Sequence, residues 1–174
     1  VFGSLKPAKI AMVGCLGNHD YGRGFRNVAV ADQVVEAMRP HGVNMLRDER
    51  LDIDGLQVFG LDDFWSPRFE SGKVLGQAIR SAASLCLCHN PDVCDQPVWQ
   101  EFQGPILAGH THGGQCKPPF ATPPVLPVRN REYVSGFYDV GQGRSLYINR
   151  GIGYGFKARF NCRPEITVFT LRQS

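Results

Sequence analysis

The sequence predicts a layered α/β domain in which antiparallel strand pairing is prominent. Three observations carry this. Short apolar and β-branched runs recur along the chain, only two or three stretches show helical spacing, and the C-terminal end returns repeatedly to strand-like runs. A chain of 174 residues, 43% hydrophobic and 20% charged, is long enough to enclose one hydrophobic core. No internal repeat and no linker divides it, so a single domain over 1–174 is expected.

Residues 8–13 form a β-rich run that leads into Gly14-Cys15-Leu16-Gly17-Asn18-His19-Asp20. After a polar turn, Val30, Val34, Val35 and Met38 recur at helical spacing, which predicts a helix from Val28 to Met38 stopped by Pro40 and Gly42. Residues 43–46 predict a brief strand. Runs at 50–53 and 56–61 flank Asp54-Gly55, a strong hairpin signal because tight hairpin turns need left-handed backbone. Residues 74–83 read as a helix, 84–88 as a buried strand that delivers His89, and 97–102 as a short helix. A second buried strand at 105–108 ends at Gly109-His110-Thr111-His112-Gly113-Gly114-Gln115. The proline-rich segment 117–128 predicts an irregular surface loop, and strands are expected at 133–137, 145–149 and 166–171.

The net charge of +3 is small and its basic residues are scattered. That excludes a dedicated nucleic-acid or membrane-surface protein, and it suits an anionic substrate. No apolar run approaches the ~20 residues that span a bilayer, so the chain is expected to be soluble as given. Val1 to Gly3 carry neither an initiator Met nor a signal pattern, which predicts a processed, trimmed or fragmentary chain. Of the six cysteines, Cys86 and Cys88 lie in an apolar run and read as free, buried thiols. The Cys86-x-Cys88-His89 spacing, with Cys94 nearby, does not follow a structural-zinc pattern.

Histidines mark the chemistry. His19 follows the first strand, His89 ends the strand at 84–88, and His110 and His112 follow the strand at 105–108. Strand ends are where an α/β scaffold places its site residues. In extended chain the two imidazoles of His110-Thr111-His112 stand ~7 Å apart on one face. That suits handing one to each of two ions ~3.5–4 Å apart, as in two-metal hydrolases. Gly109, Gly113 and Gly114 permit tight turns around them. Asp62, Asp63 and Trp65 follow the strand at 56–61 and read as a turn cap, with a substrate rim as the other reading. Arg150 and Arg159 are candidate phosphate contacts or structural ion pairs. Gly151-x-Gly153-x-Gly155 lacks the βαβ unit of a nucleotide fingerprint and reads as a turn packed near the histidines.

Gly17-Asn18-His19-Asp20, then His89-Asn90-Pro91, then Gly109-His110-Thr111-His112-Gly113-Gly114-Gln115 resemble, in order and interval, the calcineurin-like metallophosphoesterase pattern. The resemblance is strongest to small bacterial phosphodiesterases related to lipid head-group hydrolases, and it extends to Asn149-Arg150-Gly151 and Arg163-Pro164-Glu165. It implies a four-layer α/β/β/α sandwich and a centre of two divalent ions, with Mn, Fe, Zn and Co all compatible with the residue types. Asn18, His89 and His110 would hold the second ion and His112 the first. His19 would assist the leaving oxygen, Asp20 would hold the His19 ring, and a hydroxide bridging the ions would attack phosphorus. The implied substrate is a small-molecule or lipid phosphodiester, with no nucleic acid expected and any membrane association lying in residues N-terminal to these.

The family's Asp-x-His and Gly-Asp-x-x blocks do not precede Gly17 in these residues. The resemblance therefore implies the C-terminal two-thirds of such a domain, lacking N-terminal strands and helices, that alone binds metal poorly and is nearly inactive. In the parent it would be cytoplasmic or membrane-peripheral. A non-catalytic binding or scaffold module on the same fold is the alternative.

Overall fold

The computed structural model describes residues 8–153, 155 and 157–172, so Val1 to Gly3 lie outside the described residues. Strand β1 (Met12–Cys15) pairs in parallel with β2 (Val43–Leu46), and helix α1 (Val28–Met38) connects them. Asn27 caps α1 by accepting a hydrogen bond from Val30 N at 3.3 Å. Val28, Val34, Val35 and buried Ala31 turn toward Leu16, Tyr21 and Met45, which gives this unit its own small core.

The larger sheet holds β3 (Glu49–Ile53), β4 (Leu56–Gly60), β5 (Ser84–Leu87), β6 (Gly104–Ala108), β7 (Gly136–Asp139) and β8 (Arg144–Ile148). Its order is β3-β4-β5-β6-β8-β7. The four central strands run parallel, and β3 and β7 pair antiparallel at the edges. Asp54 (φ 47°) and Gly55 (φ 86°) are both left-handed, as the two-residue turn between β3 and β4 demands. Phe59, Leu61, Leu75, Cys86, Ile106, Leu146 and Ile148 have no exposed surface, and burying a side chain such as Leu, Ile or Phe stabilises by about 1.5–3 kcal/mol. At Gly60 a Cβ would lie 2.2 Å from Leu46 Cβ, so glycine there lets the two sheets meet.

Several elements differ from the sequence expectation. The first strand starts at Met12 rather than 8, because its length is set by the four residues of β2. The helix expected at 74–83 is only a single turn, α2 (Gly72–Leu75). Beyond it, side chains take the groups a helix would use. Gln57 Nε2 donates to the carbonyls of Ile79 and Ala82, and its Oε1 accepts from Ile79 N. Gln100 Nε2 donates to Gly72 O at 2.7 Å. The helix expected at 97–102 is replaced by turns, and a 3₁₀ turn forms at Pro91–Asp95 instead. There Asn90 caps and Pro91 supplies the pre-set φ of a first position.

The strand expected at 133–137 begins at Gly136, since the amides of Val134 and Ser135 donate to Tyr138 Oη rather than to a ladder. Residues 166–171 form no strand, because among the described residues no neighbour pairs with their backbone. All six cysteines are free, and burial pushes the Cys86 and Cys88 thiols well above their usual range. Among the described residues no helix is long and apolar enough to cross a membrane.

Candidate metal-binding site

The parallel register of β5 and β6 sets Leu87 beside Leu107, so the chain continuing from each strand arrives at the same end of the sheet. Gly109 N donates to His89 O at 3.0 Å, and the backbone then turns through His110 in the left-handed region (φ 67°). This brings His110 Nδ1 to 3.1 Å from His89 Nε2. From the other sheet, the 3₁₀ turn after β1 brings Asn18 Oδ1 to 3.0 Å from that same Nε2.

Gly17 makes this approach feasible. A Cβ there would sit 2.8 Å from the His89 ring, at a φ of −109° that any residue could adopt. The other nitrogen of His110, Nε2, lies 2.8 Å from Pro127 O. A carbonyl only accepts, so His110 carries its proton on Nε2 and leaves a lone pair on Nδ1. Asn18 Oδ1 and His110 Nδ1 thus present lone pairs to a single proton on His89 Nε2, and a cation that displaced this proton to Nδ1 would find three electron-pair donors together.

Burial, then the nearby His110, His112 and His19, push the His89 pKa down to about 3. Burial also lowers His110, opposed by the Pro127 carbonyl and Asp92, and it lowers His112, helped by the Arg159 charge. All three imidazoles are therefore neutral at pH 7, the state in which imidazole ligates metal. Among the described residues no group of three His, Cys, Asp or Glu side chains is arranged to hold a metal ion. The trio here is two imidazoles and one amide, and that set suits a borderline divalent cation.

His112 (φ 51°) lines the same cavity, of about 220 Å³, but does not join the trio. Its Nδ1 is buried without a hydrogen-bond partner among the described residues. His110 and His112, left-handed on either side of Thr111, each cost on the order of 1–3 kcal/mol, and such strain clusters at functional sites. His19 is exposed at the cavity wall, its ring edge-on to Phe25 at 5.1 Å. Asp20 does not hold that ring. Its Oδ2 accepts from Gly17 N at 2.8 Å while Asp20 N donates to Gly17 O, so the carboxylate closes the turn that presents His19. The geometry of a three-residue turn favours that short return over a reach to the neighbouring side chain.

Trp65 reaches the cavity, 4.9 Å edge-on to His110, whereas Asp62 and Asp63 are buried in the loop after β4. Asp62 accepts from Tyr21 Oη and from Asp63 N, as a turn cap does. Arg150 pairs with Glu165 at 2.6 Å, and Arg159 bonds main-chain carbonyls. Gly153 packs beside His112, and Gly155 N donates to Gln115 Oε1. The sequence reading missed Phe25, the Pro127 carbonyl and Asp92, whose carboxylate accepts from Arg129 N and Asn130 N and so anchors the end of the proline-rich loop. A main-chain acceptor leaves no residue-type signal, and Phe25 is an isolated aromatic in a polar turn.

The chain is similar to several proteins named for phosphoester hydrolysis. Phosphodiesterase YaeI of Escherichia coli (strain K12) is 32% identical over 167 residues, covering 90% of this chain and 57% of its own length. The uncharacterized metallophosphoesterase YkuE of Bacillus subtilis (strain 168) is 35% identical over 170 residues, covering 91% and 55%. UDP-2,3-diacylglucosamine pyrophosphatase LpxG of Chlamydia trachomatis is 27% identical over 210 residues, covering 91% and 63%. No family model matches the chain, and no solved structure matches it significantly. The chain belongs to the calcineurin-like metallophosphoesterases. It spans about half the length of the first two relatives.

Proposed function

We propose that the protein hydrolyses a phosphate ester, most simply a phosphodiester, with the help of two divalent cations. The observation that carries the reading is the convergence of Asn18 Oδ1, His89 Nε2 and His110 Nδ1 within 3.0 and 3.1 Å of one another along the chain of contacts. These three would hold one cation, and His112, with its unpartnered Nδ1, would contribute to the other. Cations bound there would polarise the phosphoryl group and make a water nucleophilic near neutral pH.

The chain's own residues do the rest. Pro127 O fixes the His110 tautomer, so the Nδ1 lone pair faces the site. His19 at the cavity wall donates a proton or hydrogen bond to the leaving oxygen, on a turn that Asp20 closes. Phe25 and Trp65 supply an apolar wall that limits water access around His110. The six-stranded sheet supports a reading in which these residues are one part of a single domain with a four-layer α/β/β/α arrangement. One relative is named a phosphodiesterase and another a pyrophosphatase of an acylated sugar nucleotide, which favours a small-molecule or lipid phosphoester as substrate.

The test is His110→Ala in the protein at its full natural length, assayed on bis(p-nitrophenyl) phosphate with added Mn²⁺. The expected result is loss of hydrolysis by roughly 100-fold or more with an unchanged circular dichroism spectrum. Unchanged hydrolysis would overturn the assignment. Absence of any hydrolysis in the wild-type protein would favour a binding or scaffold role instead.

A further inference from the structure

A second cavity, of about 590 Å³, is lined by Arg150, Arg159, Asn161, Cys162, Arg163 and Pro164. It adjoins the His112 turn through the backbone. Cys162 Sγ donates to His112 O at 3.1 Å, and a Cβ on Gly113 would meet Cys162 Sγ at 2.5 Å and Arg150 Cγ at 2.7 Å.

Its three guanidinium groups are not equivalent. Arg150 is matched by Glu165. Arg159 is held by main-chain carbonyls, among them His112 O at 3.4 Å, Arg150 O at 3.0 Å and Gly151 O at 3.3 Å, with no carboxylate among the described residues. Those contacts fix its geometry and leave its charge uncompensated. Arg163 is exposed and makes no hydrogen bond or ion pair among the described residues. Two unmatched positive charges therefore share one concavity, an arrangement that raises the local concentration of anions. The Nη groups of Arg159 are taken by carbonyls, so it offers a phosphate its charge, while the guanidinium fork of Arg163 is free to meet the phosphate oxygens.

We propose that this cavity is an anion subsite that takes a phosphate group outside the catalytic centre, with Arg159 as its fixed wall and Arg163 as its exposed clasp. The phosphate is either a second one carried by the substrate or free inorganic phosphate. The subsite does not depend on the hydrolytic reading, and it can be tested without turnover.

Inorganic phosphate is titrated calorimetrically into the full-length protein stripped of metal. Saturable binding that weakens as NaCl is raised is expected, with affinity reduced roughly tenfold in Arg163→Gln and partly restored in Arg163→Lys. Because Arg163 is exposed, both variants should keep the wild-type circular dichroism spectrum. Absence of saturable binding, or equal affinity in folded Arg163→Gln, overturns the proposal. The sources are then separated by KM for two p-nitrophenyl diesters, one bearing a second phosphate. A KM rise confined to that substrate in Arg163→Gln assigns the subsite to the substrate. Weakened phosphate binding with no KM difference assigns it to free phosphate.

Discussion

At Gly17 the backbone runs against the face of the His89 imidazole, with room for a hydrogen and none for a methyl group. Gly17→Ala leaves the backbone in allowed space, so the clash alone acts, and it acts on the ring shared by Asn18 and His110. The expected outcome in the full-length protein is a fall in kcat/KM of roughly 10–100-fold with little change in melting temperature, because the displacement is local. Asp63 offers a different reading. Burial, aided by Asp62 and Asp20 and opposed by the amides of Trp65 and Phe64, raises its pKa from 3.8 to about 6. A carboxyl with a raised folded-state pKa binds its proton more tightly folded than unfolded. Its contribution is thus fully present below about pH 3.8 and is lost as pH rises through about 6. Asp63→Asn should flatten that part of a urea-unfolding profile taken from pH 4 to 7. A profile identical to wild type would contradict the assignment.

Among the elements, α1 was legible with its bounds and the β3–β4 hairpin to within one residue at either outer end. The helix has a four-residue apolar rhythm and a Pro40-Gly42 stop, both local signals, and the structure adds the Asn27 cap. The hairpin has Asp54-Gly55, and both residues adopt the left-handed backbone the pair advertises. The candidate histidines stood out for a similar reason, since His19, His89 and His110 follow short apolar runs, whereas Asn18 was named only through the family resemblance. What failed was the stretch after Gly76. Its apolar spacing resembles a helix, yet Gln57, more than fifteen residues away in sequence, occupies the carbonyls of Ile79 and Ala82. Contacts at that separation have no local signature. The tail at 166–171 failed likewise, because a strand is a property of two segments and the alternation shows only one. Gln57→Leu should release the 79–83 segment and leave Ile79 N and Ser84 Oγ without this partner. A loss on the order of 2 kcal/mol is expected by urea unfolding.

For the whole molecule, the donor balance is the feature with consequences. Asn18, His89, His110 and His112 are all neutral, so a divalent cation held by them alone keeps its full charge in a partly buried place. The 174 residues by themselves should retain well under one Mn²⁺ per chain after desalting, measured by plasma mass spectrometry. Stoichiometric retention would show that a carboxylate is not needed. The proline-rich segment has a subtler consequence. It steers His110 through a main-chain carbonyl, Pro127 O, rather than through a side chain. Every residue has that carbonyl, so the steering atom survives nearly any exchange of letters there. What the segment cannot absorb is a change of count. A library scanning 117–122 should tolerate most substitutions, while single-residue deletions between Asp92's anchor at Arg129 and the Gly114–Pro123 contact abolish activity. The loop is specified by its length more than by its spelling.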